Sequence, residues 1–238
     1  MASLDDIRNN SSPAALIEGQ PQHLLIAILL TLGAASLLTA PDSRILGLAA
    51  PQWARVSISL ALLHQVLVAV VFRLQLHRGT MTRLFGANDM RVWAALFLPL
   101  LIARPVTVIL TGWADDVPIT GWRGAEVMIG LALLCAAIWA IHSTLVHFTL
   151  PRALGGDHFR EEIARMPMVD KGVFRYTANG MYGVAFLGLW GIALLFGSWN
   201  ALVLALFQHA YIWVHMYCTE APDMARIHGP VADTHGTD

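Results

Sequence analysis

Long apolar runs separated by short polar segments dominate this chain. A helix that crosses hydrocarbon needs about 20 mostly apolar residues, and six stretches approach or reach that length. They run from about Leu24 to Ala40, Val56 to Leu76, Val92 to Trp113, Ala125 to Leu150, Met181 to Phe196 and Ala201 to Thr219. Pro41 and Pro151 close the first and fourth, and Arg104-Pro105 lies inside the third. Only Gly197-Ser198-Trp199-Asn200 separates the last two, which predicts a tight antiparallel hairpin. Gly183, Gly188 and Gly191 would let a neighbour approach the fifth helix closely. The pattern predicts an all-α fold: a polytopic membrane bundle of about six transmembrane helices, ending in a helical hairpin and a short amphipathic tail.

Composition supports that pattern. Of 238 residues, 56% are hydrophobic and 13% charged, whereas a soluble domain carries about 25% charged residues. Lipid must therefore cover much of the surface. The net charge of −1 gives no electrostatic case for a nucleic-acid partner. Cys135 and Cys218 fall in apolar stretches and make no disulfide framework. Met1–His23 is polar and lacks the basic-then-apolar order of a signal peptide.

Charge placement adds an orientation. Eleven cations fall on the side of the two termini and only Arg44, Arg55 and Arg123 on the other, a positive-inside bias. It predicts an integral protein of a membrane such as the bacterial inner membrane, with both termini in the cytoplasm. Lys171 is the only lysine. The chain reads as one domain: a polar segment over 1–22, a region over 125–229 that carries the candidate chemistry and a flexible tail over 230–238. The loop Pro151–Ala178 reads as carrying a short interfacial helix capped by Asp157, with Arg160, Glu161, Glu162 and Arg165 in water.

The candidate chemistry gathers at one depth. On the sixth helix His209, Trp213, Met216 and Glu220 share a face, with Tyr211 and His215 on the adjacent one. The fourth helix brings His142, Ser143, Thr144 and His147, and the fifth opens with FRYTANGMYG. All three sets converge on the cytoplasmic boundary. Pro222 is expected to end the sixth helix and hold Glu220 there. The bland alternative for Tyr211, Trp213 and Tyr217 is an interfacial aromatic belt, and for His64 and Arg104 structural hydrogen bonding. No histidine spacing or cysteine pairing makes a metal site, although a haem or quinone held by histidines from two helices stays open. No glycine-rich phosphate loop is present.

The segment Arg175–Gly229 resembles the C-terminal part of the integral-membrane S-adenosylmethionine-dependent methyltransferases, which include phosphatidylethanolamine N-methyltransferases and isoprenylcysteine carboxyl methyltransferases. Asn179-Gly180-Met181-Tyr182 is similar to the family's N-P-M-Y opening, with Gly180 in place of proline. Glu220-Ala221-Pro222 is similar to its E-E-P ending, with Ala221 in place of the second glutamate, and Asp223–Gly229 to its amphipathic close. The phospholipid branch looks closest. The fourth helix departs from that branch, with His142-Ser143-Thr144 where a glycine pair is expected.

The resemblance implies methyl transfer from S-adenosylmethionine to the amino headgroup of a membrane phospholipid. It implies a donor site made by Arg175, Asn179, Tyr182, Gly183, Trp213, Glu220 and Pro222. Glu220, His147 and His215 are the implied catalytic candidates. Arg152, Tyr211 and His142 are those for the lipid, with Arg104 a further candidate for its phosphate. Carboxyl methylation of a prenylcysteine or small lipid, and an NADPH-dependent reductase of the sterol type, are the competing readings.

Overall fold

The computed structural model describes residues 3–229, so the expected tail over 230–238 lies outside the described residues. In chain order the helices are α1 (Leu4–Asn10), α2 (Pro13–Ile17), α3 (Gln20–Leu37), α4 (Ala50–Arg78), α5 (Thr80–Phe85), α6 (Asp89–Trp113) and α7 (Arg123–Ser143). Then follow α8 (Leu150–Ala153), α9 (Glu161–Ala164), α10 (Gly180–Gly183), α11 (Leu187–Phe196), α12 (Trp199–His215) and α13 (Ala221–His228). The strands described are Arg44–Ile45 and Leu48–Ala49, paired as a small hairpin outside the bundle. Five helical stretches are long and apolar enough to cross a membrane, and Gly180–Phe196 is a shorter apolar one. The protein is an all-α, integral-membrane bundle. Outward leucines such as Leu24, Leu25, Leu29 and Leu32 are exposed, as lipid-facing residues should be.

α12 is the central helix. Val203, Leu204, Ala205, Phe207, Tyr211 and Val214 on it pack with Ala27 and Ala34 of α3, Ala54, Ile58 and Ala61 of α4, and Val108 of α6. Leu189 and Ala193 of α11 close the same core. The many alanines bring helix axes close, so packing replaces the missing hydrophobic drive inside lipid. The hairpin turn falls where expected: Gly197 has φ +66°, and the Ser198 hydroxyl accepts from the Ala201 amide at 3.0 Å. Asp115 holds the turn from outside, accepting from the Ser198 hydroxyl at 2.6 Å and the Asn200 amide at 2.8 Å.

The smooth side of α11 packs against α7. A Cβ on Gly191 would stand 2.8 Å from the Gly130 carbonyl oxygen, and one on Gly188 3.2 Å from Ala137 Cβ. Gly183 instead faces α12, where its Cβ would lie 3.8 Å from Trp213 Cζ2.

Two features differ from the sequence expectation, and a third goes beyond it. First, the helix does not end at Pro222. A π-helical turn, Met216–Glu220, joins α12 to α13, and Pro222 sits in the first turn of α13, where its missing N–H is tolerated. Second, Asp157 caps no helix; Arg160 precedes α9, and the Asp157 carboxylate is turned to His158. Third, the polar N-terminal segment is helical and docked. Ser3 and Ser12 cap α1 and α2, while Leu4 and Ile7 pack with Leu76, Ala164 and Ile227. The described chain ends therefore meet at one end of the bundle.

Candidate active site

That same end carries two irregular helix termini. α7 runs into a π turn, Thr144–Phe148, which contains His147, and α12 into the turn that ends at Glu220. π turns rotate the following side chains relative to a regular helix and are frequent at functional sites. Facing Glu220 is Tyr182 on α10, a one-turn helix set off from α11 by Val184–Phe186. The Tyr182 hydroxyl donates to Glu220 Oε2. This bond joins the two stretches singled out in the sequence across 38 residues.

Aromatic rings line the space beside this pair. Trp213 meets Tyr182 edge-on with centroids 6.4 Å apart, and stacks with Tyr217 at 6.0 Å and 26°. Tyr217 is 65% exposed, so the wall opens outward. Deeper in, Trp190 Nε1 donates to His209 Nδ1 at 3.0 Å. An accepting Nδ1 leaves the His209 proton on Nε2. His209, Trp213 and Glu220 thus front α10 and α11, on the one face that their spacing gave them. The opposite face of α12, with Tyr211 and His215, is buried against α3 and α4.

Behind Glu220 stands a buried charge cluster. Arg73 Nη1 lies 2.8 Å from Asp223 Oδ1, an ion contact rather than an aligned hydrogen bond. Asp223 Oδ2 meets His158 Nε2 at 3.2 Å, and His158 Nδ1 meets Asp157 Oδ1 at 2.9 Å. Burial alone would drive the proton off His158, but carboxylates on both ring nitrogens reverse this and push it up to about 10. The same contact lowers Asp157 against the opposing effect of its burial. His158 is therefore an imidazolium between two carboxylates, stacked on Phe72 at 4.2 Å.

Of the residues singled out in the sequence, Tyr182, Gly183, Trp213, Glu220 and Pro222 come together. Asn179 immediately precedes α10, and Arg175 ends the short turn Gly172–Arg175 with its side chain exposed. His147 packs beside Gly172, and no hydrogen bond joins it to Glu220 or Tyr182. Arg152 donates to the Pro167 carbonyl at 2.8 Å and covers the Phe148 ring. His142 is exposed on the outer side of α7. Tyr211 is fully buried and bonded to His23 at 3.1 Å, and His215 is 3% exposed with Nδ1 unpartnered. Arg104 lies in the bundle interior, donating to Gln208 Oε1 at 2.8 Å over the Phe186 ring.

Sequence reasoning passed over Arg73, Asp157, His158 and Asp223 as site residues. Arg73 counted only as one more cation near a helix end. A signal was present: it falls within a helical period of apolar neighbours, where an arginine needs a partner.

Comparison with known proteins bears on the region just described. Residues 125–231 match the family model of phospholipid methyltransferases. Among similar proteins are the phosphatidylethanolamine N-methyltransferases of Scheffersomyces stipitis, 28% identical over 108 residues, and Candida albicans, 27% identical over 109. Each of these matches covers 44% of this chain and 12% of the relative. That of Candida tropicalis is 32% identical over 75 residues, 32% of this chain and 9% of the relative. The matched stretch is thus a small part of these longer proteins. No solved structure matches the chain. The matched stretch contains Tyr182, Trp213, Glu220, His158 and Asp223, while Arg73 comes from the chain before it.

Proposed function

We propose that this chain transfers methyl groups from S-adenosylmethionine to the amino headgroup of a membrane phospholipid, carrying phosphatidylethanolamine towards phosphatidylcholine. The observation that carries this reading is the Tyr182–Glu220 pair, set inside the region that matches phospholipid methyltransferases. The positive-inside bias supports a cytoplasmic position for this end of the bundle, from which a charged, water-soluble donor would arrive.

The residues present fit that donor. Glu220 is a partly buried carboxylate beside aromatic faces, a set of groups suited to a cation carrying a flat ring system. S-adenosylmethionine, when bound, supplies a methyl group on a positively charged sulfur, open to displacement by a nucleophile. Glu220 would draw in and orient the positive groups, with Tyr182 fixing its carboxylate. Trp213 and Tyr217 would cover the ring system and keep water out. Gly183, Asn179 and Pro222 shape the backbone around them, and Arg175 is free to meet a carboxylate.

The lipid would enter from the bilayer with its headgroup at this depth. An ammonium must lose a proton before its nitrogen can form a bond to carbon, so a base is needed. Glu220 and His147 are the candidates with access, since His215 is sealed on the far face of α12. Arg152, half-buried at the same end, would meet the phosphate. His142, on the outer side of α7, lies away from the Tyr182–Glu220 pair, and Tyr211 is sealed in the core and would not meet the lipid.

The test is purified protein in detergent with labelled S-adenosylmethionine and phosphatidylethanolamine. Label in the lipid extract is expected. Label in a prenylcysteine acceptor alone, or stabilisation by NADPH and not by S-adenosyl compounds, would overturn the proposal.

A further inference from the structure

A π turn followed by proline leaves carbonyl oxygens without their regular helical donors. In α13 the N–H that would serve the Cys218 carbonyl is the one Pro222 lacks. The structure supplies the donors from elsewhere. Arg73 Nη2 reaches the Cys218 carbonyl at 3.2 Å and the Thr219 carbonyl at 3.3 Å, and Gln20 Nε2 adds a bond to the Cys218 carbonyl at 3.2 Å. The same guanidinium holds the Glu18 carbonyl at 2.9 Å and the Ala15 carbonyl at 3.4 Å, beside its ion contact with Asp223. Gly19, at φ +77°, brings the N-terminal segment so near that a Cβ would overlap the Cys218 carbonyl. Arg226 and Glu18 pair across the same seam.

We propose that Arg73 is a positioning residue for Glu220, clamping the π turn from behind, and that residues 15–20 are a working part of the donor site. Arg73 touches neither donor nor acceptor in this account. It satisfies the two backbone oxygens immediately before Glu220, and thereby fixes the direction in which that carboxylate meets Tyr182. Its other hand is the backbone of Ala15 and Glu18, so the N-terminal segment and the turn are held by one side chain. A lysine at 73 carries the charge but not the planar fork that serves several acceptors at once. This inference rests on the proposal that Glu220 serves the methyl donor.

The experiment compares Arg73→Gln and Arg73→Lys with Arg160→Gln, which breaks another buried-carboxylate pair, Arg160 with Asp89, away from the turn. Three quantities are read: unfolding midpoint, steady-state KM and kcat for S-adenosylmethionine, and hydrogen exchange of the amides in the segment 216–222, whose Pro222 has none. Arg73→Gln should raise donor KM at least tenfold and speed exchange over 216–222, with a smaller fall in kcat at saturating donor. Arg73→Lys should recover the KM only in part. Arg160→Gln should lower the midpoint yet leave donor KM within twofold.

Gly19→Ala, which presses on the same turn without removing a charge, should change KM in the same direction as Arg73→Gln. Equal KM changes in Arg73→Gln and Arg160→Gln, or an Arg73→Gln that alters only the midpoint, would overturn the proposal. If the wild type binds no S-adenosylmethionine, the functional reading fails instead. The exchange data then still decide whether Arg73 holds the turn.

Discussion

Replacing Tyr182 by phenylalanine removes one hydroxyl and leaves the ring beside Trp213. That hydroxyl is the donor to Glu220 and the polar link between α10 and the π turn. A hydrogen bond to a charged group contributes roughly 1.5–3 kcal/mol, and a partner left without its donor costs the protein about as much. Glu220 keeps partial exposure, so water recovers part of that loss and the lower end of the range applies. Tyr182→Phe should therefore weaken donor binding by about tenfold, which corresponds to ~1.4 kcal/mol.

Glu220→Gln removes the charge itself. A carboxylate about 5 Å from a cation at an effective dielectric near 20 contributes ~3 kcal/mol, or more than a hundredfold in Kd. The double variant should be little worse than Glu220→Gln alone, because the hydroxyl acts through the carboxylate. Titration calorimetry of the detergent-purified proteins with S-adenosylhomocysteine and S-adenosylmethionine measures all four affinities. Additive losses in the double variant would refute the reasoning, as would a Tyr182→Phe more damaging than Glu220→Gln.

Stability should depend on pH through His158, whose folded pKa is raised to about 10 from an ordinary 6.5. Its contribution is fully present below about pH 6.5 and lost as pH rises through about 10; His158→Gln should flatten that decline in urea or thermal unfolding. Gly172→Ala should destabilise the protein, since φ is +59° and the new Cβ would sit 2.6 Å from Ser143 Oγ. Strain of this kind costs on the order of 1–3 kcal/mol, and an unchanged unfolding midpoint would contradict it. Asp115→Ala removes the acceptor for Ser198 and Asn200 at the hairpin turn. It should lower stability by ~2 kcal/mol while donor affinity, read by the same calorimetry, stays unchanged.

The bundle was legible because hydrocarbon imposes one rule, about 20 apolar residues per crossing, and six runs obey it closely enough to count. The Glu220 face was legible for a related reason: polar residues at helical spacing inside an apolar run must point at something. What period alone misread was the join at Pro222. Proline ends a regular helix, but a π turn upstream and a cation from α4 let the chain continue into α13. That compensation comes from Arg73, 145 residues away from Cys218, and leaves no local mark. His158 was hidden for the same reason. Its meaning lies in Asp223, 65 residues on, while its neighbour Asp157 looked like a helix cap. The N-terminal segment read only as a polar stretch because its anchors, Glu161 to the Leu4 amide and the Leu76–Ile227 patch, are tertiary.

The most direct test of the central claim is transfer of labelled methyl from S-adenosylmethionine into phosphatidylethanolamine by the purified wild type and Glu220→Gln. The account predicts incorporation by the wild type and a loss of more than a hundredfold at subsaturating donor in the variant. Wild-type protein that stabilises with neither S-adenosyl compound and labels no lipid would contradict it.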